Sequence, residues 1–267
     1  MFDQPQDFAD ESEALYQLIK DRNDEALGLC TQFKFWTIED IISHLHVWNY
    51  AADLSLNDEE GFNEFLTQVM QALPTGNLRA FEENWLDGLK GRELVQTWRE
   101  FYRGMNTRFS AADPKLRVMW AGPSMSVRSS ITARLMETWA HGQAVYDVLG
   151  VTRMDEDRIK NIVVLGVNTF EWTFKNKGEP VPEHMPYVRL TAPSGQSWQY
   201  GTPDNDDRIT GLASEFCQVV TQTRNIADTS LKARGDVAKH WMRIAQCFAG
   251  PAHTPPEPHT RYTETML

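Results

Sequence analysis

Helical periodicity of the apolar residues continues along the chain to residue 174, and it constrains the fold more than any other feature. Apolar side chains recur every three or four residues, as they do on one face of an amphipathic α-helix. Thr37 followed by Asp40 forms a capping-box pattern, Pro74-Thr75-Gly76 interrupts the periodicity, and Gly150 stands where a C-cap glycine belongs. Long helices with modest connections favour an up-and-down bundle. The predicted helices cover residues 9–30, 37–56, 62–72, 92–109, 129–149 and 155–174.

The pattern changes after residue 176. Residues 187–191 and 197–200 alternate as strands do, around a Pro193-Ser194-Gly195 turn. Helical spacing returns over residues 210–222 and 236–248. The sequence therefore predicts an α+β protein, mainly a helical bundle, in three parts: the bundle over residues 1–176, a small α/β domain over 177–250, and a Pro-rich, poorly ordered tail over 251–267.

The charge balance excludes two classes of partner. The chain has 26 Lys and Arg against 37 Asp and Glu, which gives a formal net charge of −11. A nucleic-acid binder needs a basic face, and docking on anionic lipid needs clustered basic residues. The longest strongly apolar stretch, residues 162–167, is too short to span a bilayer, and the first residues do not resemble a secretory signal. We expect a cytoplasmic monomer or homodimer that acts on a small molecule, without nucleic-acid or membrane partners.

The three cysteines, Cys30, Cys217 and Cys247, are widely spaced and include no Cys-x-x-Cys pair. This spacing excludes a disulfide framework and a cysteine-built zinc site. Cys217 and Cys247 stand inside apolar helical patterns, so we expect the cysteines to be buried and inert. Thiol chemistry in this protein would therefore need a thiol that comes from a cofactor.

Glu137 and His141 form the most specific local motif. They are four residues apart in a predicted helix, so both side chains stand on one face, one turn apart. Spacing alone fits a surface hydrogen bond as well as a metal site. The neighbouring residues Leu135, Met136 and Trp139 make this helix apolar nearly all round, and a buried carboxylate–imidazole pair needs compensation. A divalent cation would supply it, with at least one more protein ligand.

His44 is the histidine that we select as the third ligand. It follows Ile41 by three residues and precedes Trp48 by four, so it faces the core side of the second long helix. His46 is rotated by about 200° from it and should point away. His44 could also be an ordinary core histidine held by Asp40, one turn earlier. The same contact would support a metal-ligating imidazole.

His44-Leu45 after Trp36-Thr37, together with Glu137-x-x-x-His141, resembles the N-terminal domain of mycothiol-dependent maleylpyruvate isomerase. That domain is one of the DinB-like metal-binding four-helix bundles. The resemblance implies that His44, Glu137 and His141 bind zinc and leave a position open to water or a thiol. It also implies a second, sterol-carrier-like domain that contributes an arginine to bind the substrate carboxylate. Arg128 and Arg224 are our candidates for that arginine, although each could be a surface or capping residue.

A wider resemblance covers most of the chain. The segments that carry it lie at residues 120–129, 137–143, 207–211, 216–222 and 245–250. They are similar to an uncharacterised metal-binding family that joins this bundle to a C-terminal segment named for wyosine base formation. The enzymes that gave the segment its name are radical iron–sulfur proteins, and their cysteine cluster is missing here. We therefore do not expect tRNA modification.

Three functions remain open. The first is a zinc-dependent enzyme that uses a low-molecular-weight thiol, an isomerase or thiol transferase for a small organic acid. The second uses the same metal to activate water, as a hydrolase or hydratase. The third is a non-enzymatic bundle that binds an apolar ligand, for which nine Trp and thirteen Phe would serve. Two histidines and one carboxylate also suit Fe²⁺, Ni²⁺ or Co²⁺, so the metal stays open.

Overall fold

A computed structural model describes residues 2–72 and 78–265 of the chain. The chain divides into two compact units, Met1–Val148 and Leu149–Leu267. It is mostly helical and contains one small four-stranded sheet in the second unit, so the predicted mainly helical α+β composition is confirmed. The turn expected at Pro74-Thr75-Gly76 lies outside the described residues. In the part of the chain that the structure describes, no helix is both long and apolar enough to cross a bilayer.

Long helices build the first unit. α1 and α3 each pack against both α6 and α7, the mutual packing that a bundle requires. Trp98 and Trp139 are fully buried among them. A two-residue hairpin, β1 (Arg117–Val118) with β2 (Met125–Ser126), precedes the last helix. The helices are α1 (Gln4–Ile19), α2 (Asp24–Leu27), α3 (Ile38–Asn57), α4 (Glu59–Ala72), α5 (Leu78–Leu86), α6 (Gly91–Ala111) and α7 (Val127–Val148).

Near the start of the chain, the structure confirms one local prediction and corrects another. The capping box at Thr37 is present, and α3 begins directly after it. The predicted helix over residues 9–30 is wrong in extent, because α1 ends at Ile19 and a separate short helix follows. Asn23 starts the second helix: its backbone is extended, and its side chain accepts a hydrogen bond from Ala26 N.

Helix α5 is a helix of the first unit that the periodicity did not predict. It packs against α3 and α4 and buries Glu82 and Leu86. Because α3 packs against α5 as well as against α6 and α7, the face of α3 that carries His46 is buried too. The expectation that His46 points away from the core is therefore wrong: its ring packs edge-on against Trp85 and Phe101. Burial lowers the pKa of His46 from 6.5 to about 4, so this imidazole is neutral.

The second unit is a mixed sheet with helices. The sheet has the order β4-β3-β5-β6, in which β3 and β5 are parallel and the outer pairs are antiparallel. Both predicted strands are confirmed. The predicted helix over residues 210–222 is shorter, because β5 runs to Leu212 before the helix begins. The elements are α8 (Lys160–Asn168), α9 (Phe170–Lys177), β3 (Tyr187–Thr191), β4 (Ser197–Tyr200), β5 (Arg208–Leu212), α10 (Ala213–Val220), β6 (Lys232–Arg234) and α11 (Asp236–Ile244).

Side-chain packing explains why the units divide at Val148–Leu149, whereas the periodicity places a boundary at residue 176. The predicted helix over 155–174 is α8 and α9, and both pack on later helices. A Cβ at Gly166 would lie 2.9 Å from Val220 Cγ2, so α8 and α10 are in close contact there. The rings of Phe170 and Trp241 lie 4.9 Å apart. These helices therefore belong with the sheet.

The Pro-rich tail also differs from its expectation of poor order. Lys177 Nζ donates a 2.7 Å hydrogen bond to His253 O, and Asn225 Nδ2 donates one of 2.8 Å to Pro256 O. Arg261 Nη1 donates to Gln222 O at 2.8 Å. The described tail residues, 251–265, are thus hydrogen-bonded to other residues of the second unit.

The cysteines divide into two groups. Cys217 and Cys247 are buried, as expected, whereas Cys30 is exposed because it lies in the connection between α2 and α3. Its Sγ contacts the backbone carbonyl oxygen of Phe35 at 3.1 Å.

Glu13 gives a test of the α1–α6 contact. It accepts hydrogen bonds from Tyr102 Oη at 2.7 Å and Arg99 Nη2 at 3.0 Å. Burial would raise the pKa of Glu13, but these bonds and one from Gln17 lower it from 4.5 to about 2. Because the pKa is lower in the folded state, this stabilisation is present above pH 4.5 and is lost as the pH falls through 2.

We expect Glu13→Gln to lower the free energy of unfolding at pH 7 by about 1 kcal/mol. The difference from wild type should shrink at pH 3.5, because wild-type Glu13 is then losing its advantage. Urea unfolding at both pH values measures this, with Glu171→Gln, which changes an exposed ion pair, as the control. An equal loss at both pH values would contradict the assignment.

Candidate metal centre

Two helices of the first unit bring the predicted ligands together. α3 supplies His44, and α7 supplies Glu137 and His141. Within the described residues, these three offer donor atoms that all lie within 4.8 Å of one another. Glu137 Oε2 is 3.0 Å from His141 Nε2 and 4.0 Å from His44 Nε2. Donors around a tetrahedral zinc are about 3.3 Å apart, so the two distances bracket the separation that zinc needs.

The three side chains are neither fully buried nor open to bulk water. Their exposed fractions are 13% for His44, 22% for Glu137 and 12% for His141. Most of each side chain is therefore shielded from solvent.

The orientation of His44 depends on Glu82 of α5. His44 Nδ1 lies 2.6 Å from Glu82 Oε1. An ionised carboxylate only accepts hydrogen bonds, so Nδ1 carries the proton and donates. The unprotonated Nε2 is then the atom that faces Glu137 and His141, which is the tautomer that a metal ligand requires.

The expectation that Asp40 holds His44 is therefore wrong. Asp40 Oδ2 accepts the backbone N–H of Thr37 at 2.8 Å, and Asp40 Oδ1 pairs with the guanidinium of Arg79. Both oxygens of Asp40 are occupied, and Glu82 takes the contact with the imidazole.

Glu82 itself is fully buried and saturated with hydrogen bonds. Its Oε1 also accepts Trp48 Nε1 at 3.0 Å, and its Oε2 accepts Arg79 Nη1 at 2.8 Å. Burial alone would raise the pKa of Glu82. The nearby charge and hydrogen bond of His44, with the contributions of Arg79 and Trp48, lower it instead. Glu82 therefore stays an ionised acceptor.

Aromatic rings from the connection between α2 and α3 pack on both imidazoles. Trp36 stacks on His141 with ring centroids 5.8 Å apart and planes 8° apart, and it lies 5.2 Å from the His44 ring. Phe33 contacts His141 edge-on at 4.9 Å. The two imidazole rings are 4.8 Å apart. These contacts limit ring rotation, so both Nε2 atoms stay near Glu137.

The charge states of the three side chains match those of metal ligands, whereas the tautomer of His141 does not. His141 Nε2 lies 3.0 Å from an oxygen of the ionised Glu137, so Nε2 carries the proton here, and metal binding would require that proton to move to Nδ1. Burial would raise the pKa of Glu137, but the hydrogen bond from His141 and the nearby positive charge of Arg134 lower it to about 2. Burial lowers the pKa of His141, which favours a neutral imidazole. A carboxylate and neutral imidazoles are the forms that coordinate a divalent metal, so the residues present fit such an ion.

Of the two arginines predicted to bind substrate, one shares the helix of Glu137 and the other belongs to the second unit. Arg128 is an exposed residue in the first turn of α7, with its guanidinium 5.5 Å from the Phe2 ring. It precedes Glu137 by nine residues, about 13 Å along the helix. Arg224 lies in the second unit, where its Nη1 donates to Thr223 O at 3.0 Å.

Sequence reasoning missed two charged residues of the site. One is Glu82, whose spacing from Phe81 and Trp85 in a helix-like segment was the available signal. The other is Arg134, which is one turn before Glu137 and only 5% exposed. Its guanidinium carbon lies 5.4 Å from the ring centroid of Trp120.

Residues 8–146 match the family model of the mycothiol maleylpyruvate isomerase N-terminal domain. The match covers more than half of the chain. The chain belongs to this family. The matched residues of this family member contain the whole cluster described above, including Glu82 and Arg134.

Similar proteins and structures extend the comparison. Two uncharacterized proteins, from two strains of Mycobacterium tuberculosis, are each 38% identical to this family member over 216 residues, which is 81% of this chain and 83% of each relative. The crystal structure of the mycothiol-dependent maleylpyruvate isomerase matches with a TM-score of 0.49 at 12% identity, over 81% of this chain and 87% of that one. A mutant of that enzyme matches with a TM-score of 0.48, at the same identity and coverage.

The role of Glu82 can be tested by one substitution. We expect Glu82→Gln to weaken zinc binding by about 10- to 100-fold, because the amide no longer provides a charged acceptor that fixes the tautomer of His44. Competition with a chromophoric chelator measures the affinity. Glu83→Gln is the matched control, since the Glu83 side chain is 68% exposed. Equal zinc affinities of the two variants would contradict the assignment.

Proposed function

We propose that this protein is a divalent-metal enzyme, with zinc as the metal, that uses a low-molecular-weight thiol to isomerise or transfer a group on a small organic acid. The observation that carries the proposal is the convergence of His44 Nε2, His141 Nε2 and the Glu137 carboxylate. Membership of the mycothiol maleylpyruvate isomerase N-terminal domain family supports the reaction class. The family name indicates mycothiol as the thiol and a maleylpyruvate-like acid as the substrate.

His44, Glu137 and His141 would hold the metal. Zinc bound there would supply a Lewis acid that lowers the pKa of a thiol or a water molecule. The protein's own residues keep the donors ready: Glu82 fixes the tautomer of His44, and Trp36 holds both rings in place. The same donor set suits Fe²⁺, Ni²⁺ or Co²⁺, so the identity of the metal is part of the proposal.

The thiol would come from a small molecule. Cys217 and Cys247 are buried in the second unit, and burial raises the pKa of the Cys217 thiol well above its usual range. Cys30 is exposed, and its Sγ contacts a backbone carbonyl. The nucleophile of the reaction is therefore assigned to an external thiol, which the family name also indicates.

The remaining inferences from the resemblance also stay proposals. They are a DinB-like topology for the bundle, a sterol-carrier-like, wyosine-type C-terminal part, and a substrate contact from Arg128 or Arg224. A cytoplasmic location belongs with them.

The ligand assignment predicts that wild-type protein carries about one zinc per chain, as one three-residue site implies. His44→Ala, Glu137→Ala and His141→Ala should each lose the zinc and lower thiol-dependent turnover of maleylpyruvate by at least about 100-fold. Plasma mass spectrometry measures the metal, and loss of substrate absorbance measures the rate with mycothiol or glutathione. His184→Ala is the control, because this side chain is 78% exposed.

Three results would change the proposal. Wild-type protein that cannot be loaded with any divalent metal would remove it and leave a ligand-binding bundle. Turnover that needs the metal but no thiol would assign the site to water activation, as in a hydrolase or hydratase. Full zinc content in all three alanine variants would place the metal elsewhere.

A further inference from the structure

Arg134 is a buried charge without a hydrogen-bond partner for two of its nitrogens. The residue is 5% exposed, and its Nε and Nη1 make no hydrogen bond within the described residues. A buried guanidinium is costly unless its donors are satisfied. The cation–π contact with Trp120, at 5.4 Å, offsets part of this cost but uses none of the N–H donors.

Several contacts place Arg134 beside the metal-ligand cluster. It precedes Glu137 by three residues on α7, so the two side chains share a face. Glu137 is close enough for its charge to act on Arg134. On the other side, the ring of Trp120 lies 5.9 Å from that of Trp48, whose Nε1 binds the same Glu82 oxygen as His44. Arg134 therefore packs on Trp120 and lies one helical turn before Glu137.

The charge of the site favours an anionic ligand. Glu137 and the buried Glu82 are carboxylates, Arg134 is a cation, and the imidazoles are needed in their neutral form. A divalent cation held by the three donors would leave an excess of positive charge in a site shielded from water. A small anion would offset it, and a carboxylate would also satisfy the planar donors of a guanidinium.

We propose that Arg134 binds a carboxylate group of the substrate, which makes a small organic acid the ligand of this site. The inference deepens the proposed function, because it names the residue that recognises the acid. It differs from the expectation that this contact comes from Arg128 or Arg224. Arg134 acts here as a binding residue, since its free donors would touch the ligand directly.

A purely structural role for Arg134 makes the opposite predictions. If the side chain only packs on Trp120, its loss should lower the stability and leave anion binding unchanged. If Arg134 binds a ligand, its unsatisfied buried charge lowers the stability of the unliganded protein. Replacement by methionine, which fills similar space without the charge, should then keep or raise the melting temperature.

The test measures binding of maleate, a dicarboxylate probe, by calorimetry in chloride buffer. Wild type, Arg134→Met and Arg134→Lys are compared, with Arg103→Met, which changes an exposed arginine of α6, as the matched control. Each protein is measured both zinc-loaded and after chelation, and its zinc content is determined on the same sample. Maleamide, the uncharged diamide, serves as the control ligand.

We expect Arg134→Met to bind maleate about 10- to 100-fold more weakly than wild type, as the loss of charge-assisted hydrogen bonds predicts. Arg134→Lys should be intermediate, since it keeps the charge without the planar fork. Zinc content should be unchanged in both variants, and maleamide should bind none of the proteins measurably.

Two outcomes would overturn the inference: wild-type protein that does not bind maleate, or Arg134→Met and Arg134→Lys that fold and bind it as wild type does. If zinc binds at His44, Glu137 and His141 while maleate binding ignores Arg134, the proposed function stands and this inference fails. If maleate binding depends on Arg134 but the protein takes up no metal, this inference stands and the proposed function fails.

Discussion

The hydrogen bond between His44 Nδ1 and Glu82 Oε1 is the interaction on which the site depends. A fully buried carboxylate is unfavourable unless it is saturated with donors, and Glu82 is saturated by His44, Trp48 and Arg79. Because Glu82 stays ionised, the proton of His44 is fixed on Nδ1. Its Nε2 then presents a lone pair to Glu137 and His141.

This hydrogen bond also connects the fold to the chemistry. Glu82 is supplied by α5, which packs against α3, and Trp85 of the same helix buries His46 together with Phe101 of α6. The two histidines of α3 therefore have different roles although both are enclosed. His46 is packed among rings with its pKa lowered, and His44 is tied to a carboxylate and directed at the cluster.

Local features of the sequence predict which helix faces carry His44, Glu137 and His141, and the structure brings these three side chains together. The capping box at Thr37 and the four-residue spacing of Glu137 and His141 involve neighbours on one helix, so their geometry follows from the helix alone. The facing argument for His44 uses the same period. Four of the six predicted helices of the first 176 residues extend over nearly the residues that the structure shows.

Features that depend on distant contacts were not predicted. Glu82 is 38 residues from His44, and the short helix that carries it shows little periodicity, so Asp40 was the partner that the sequence offered. Arg134 lies on a helix that is apolar nearly all round, and the periodicity does not show that its charged side chain is buried. The unit boundary depends on close packing at Gly166, which periodicity cannot reveal. The exposed position of Cys30 likewise depends on where α2 ends.

Anomalous diffraction from zinc-loaded crystals, measured at the zinc absorption edge, tests the central claim most directly. The account predicts one peak within about 2.3 Å of His44 Nε2, His141 Nε2 and a Glu137 oxygen. His44 Nδ1 should remain hydrogen-bonded to Glu82 in the same crystal. A peak bound through His44 Nδ1, or one away from these three residues, would contradict the account.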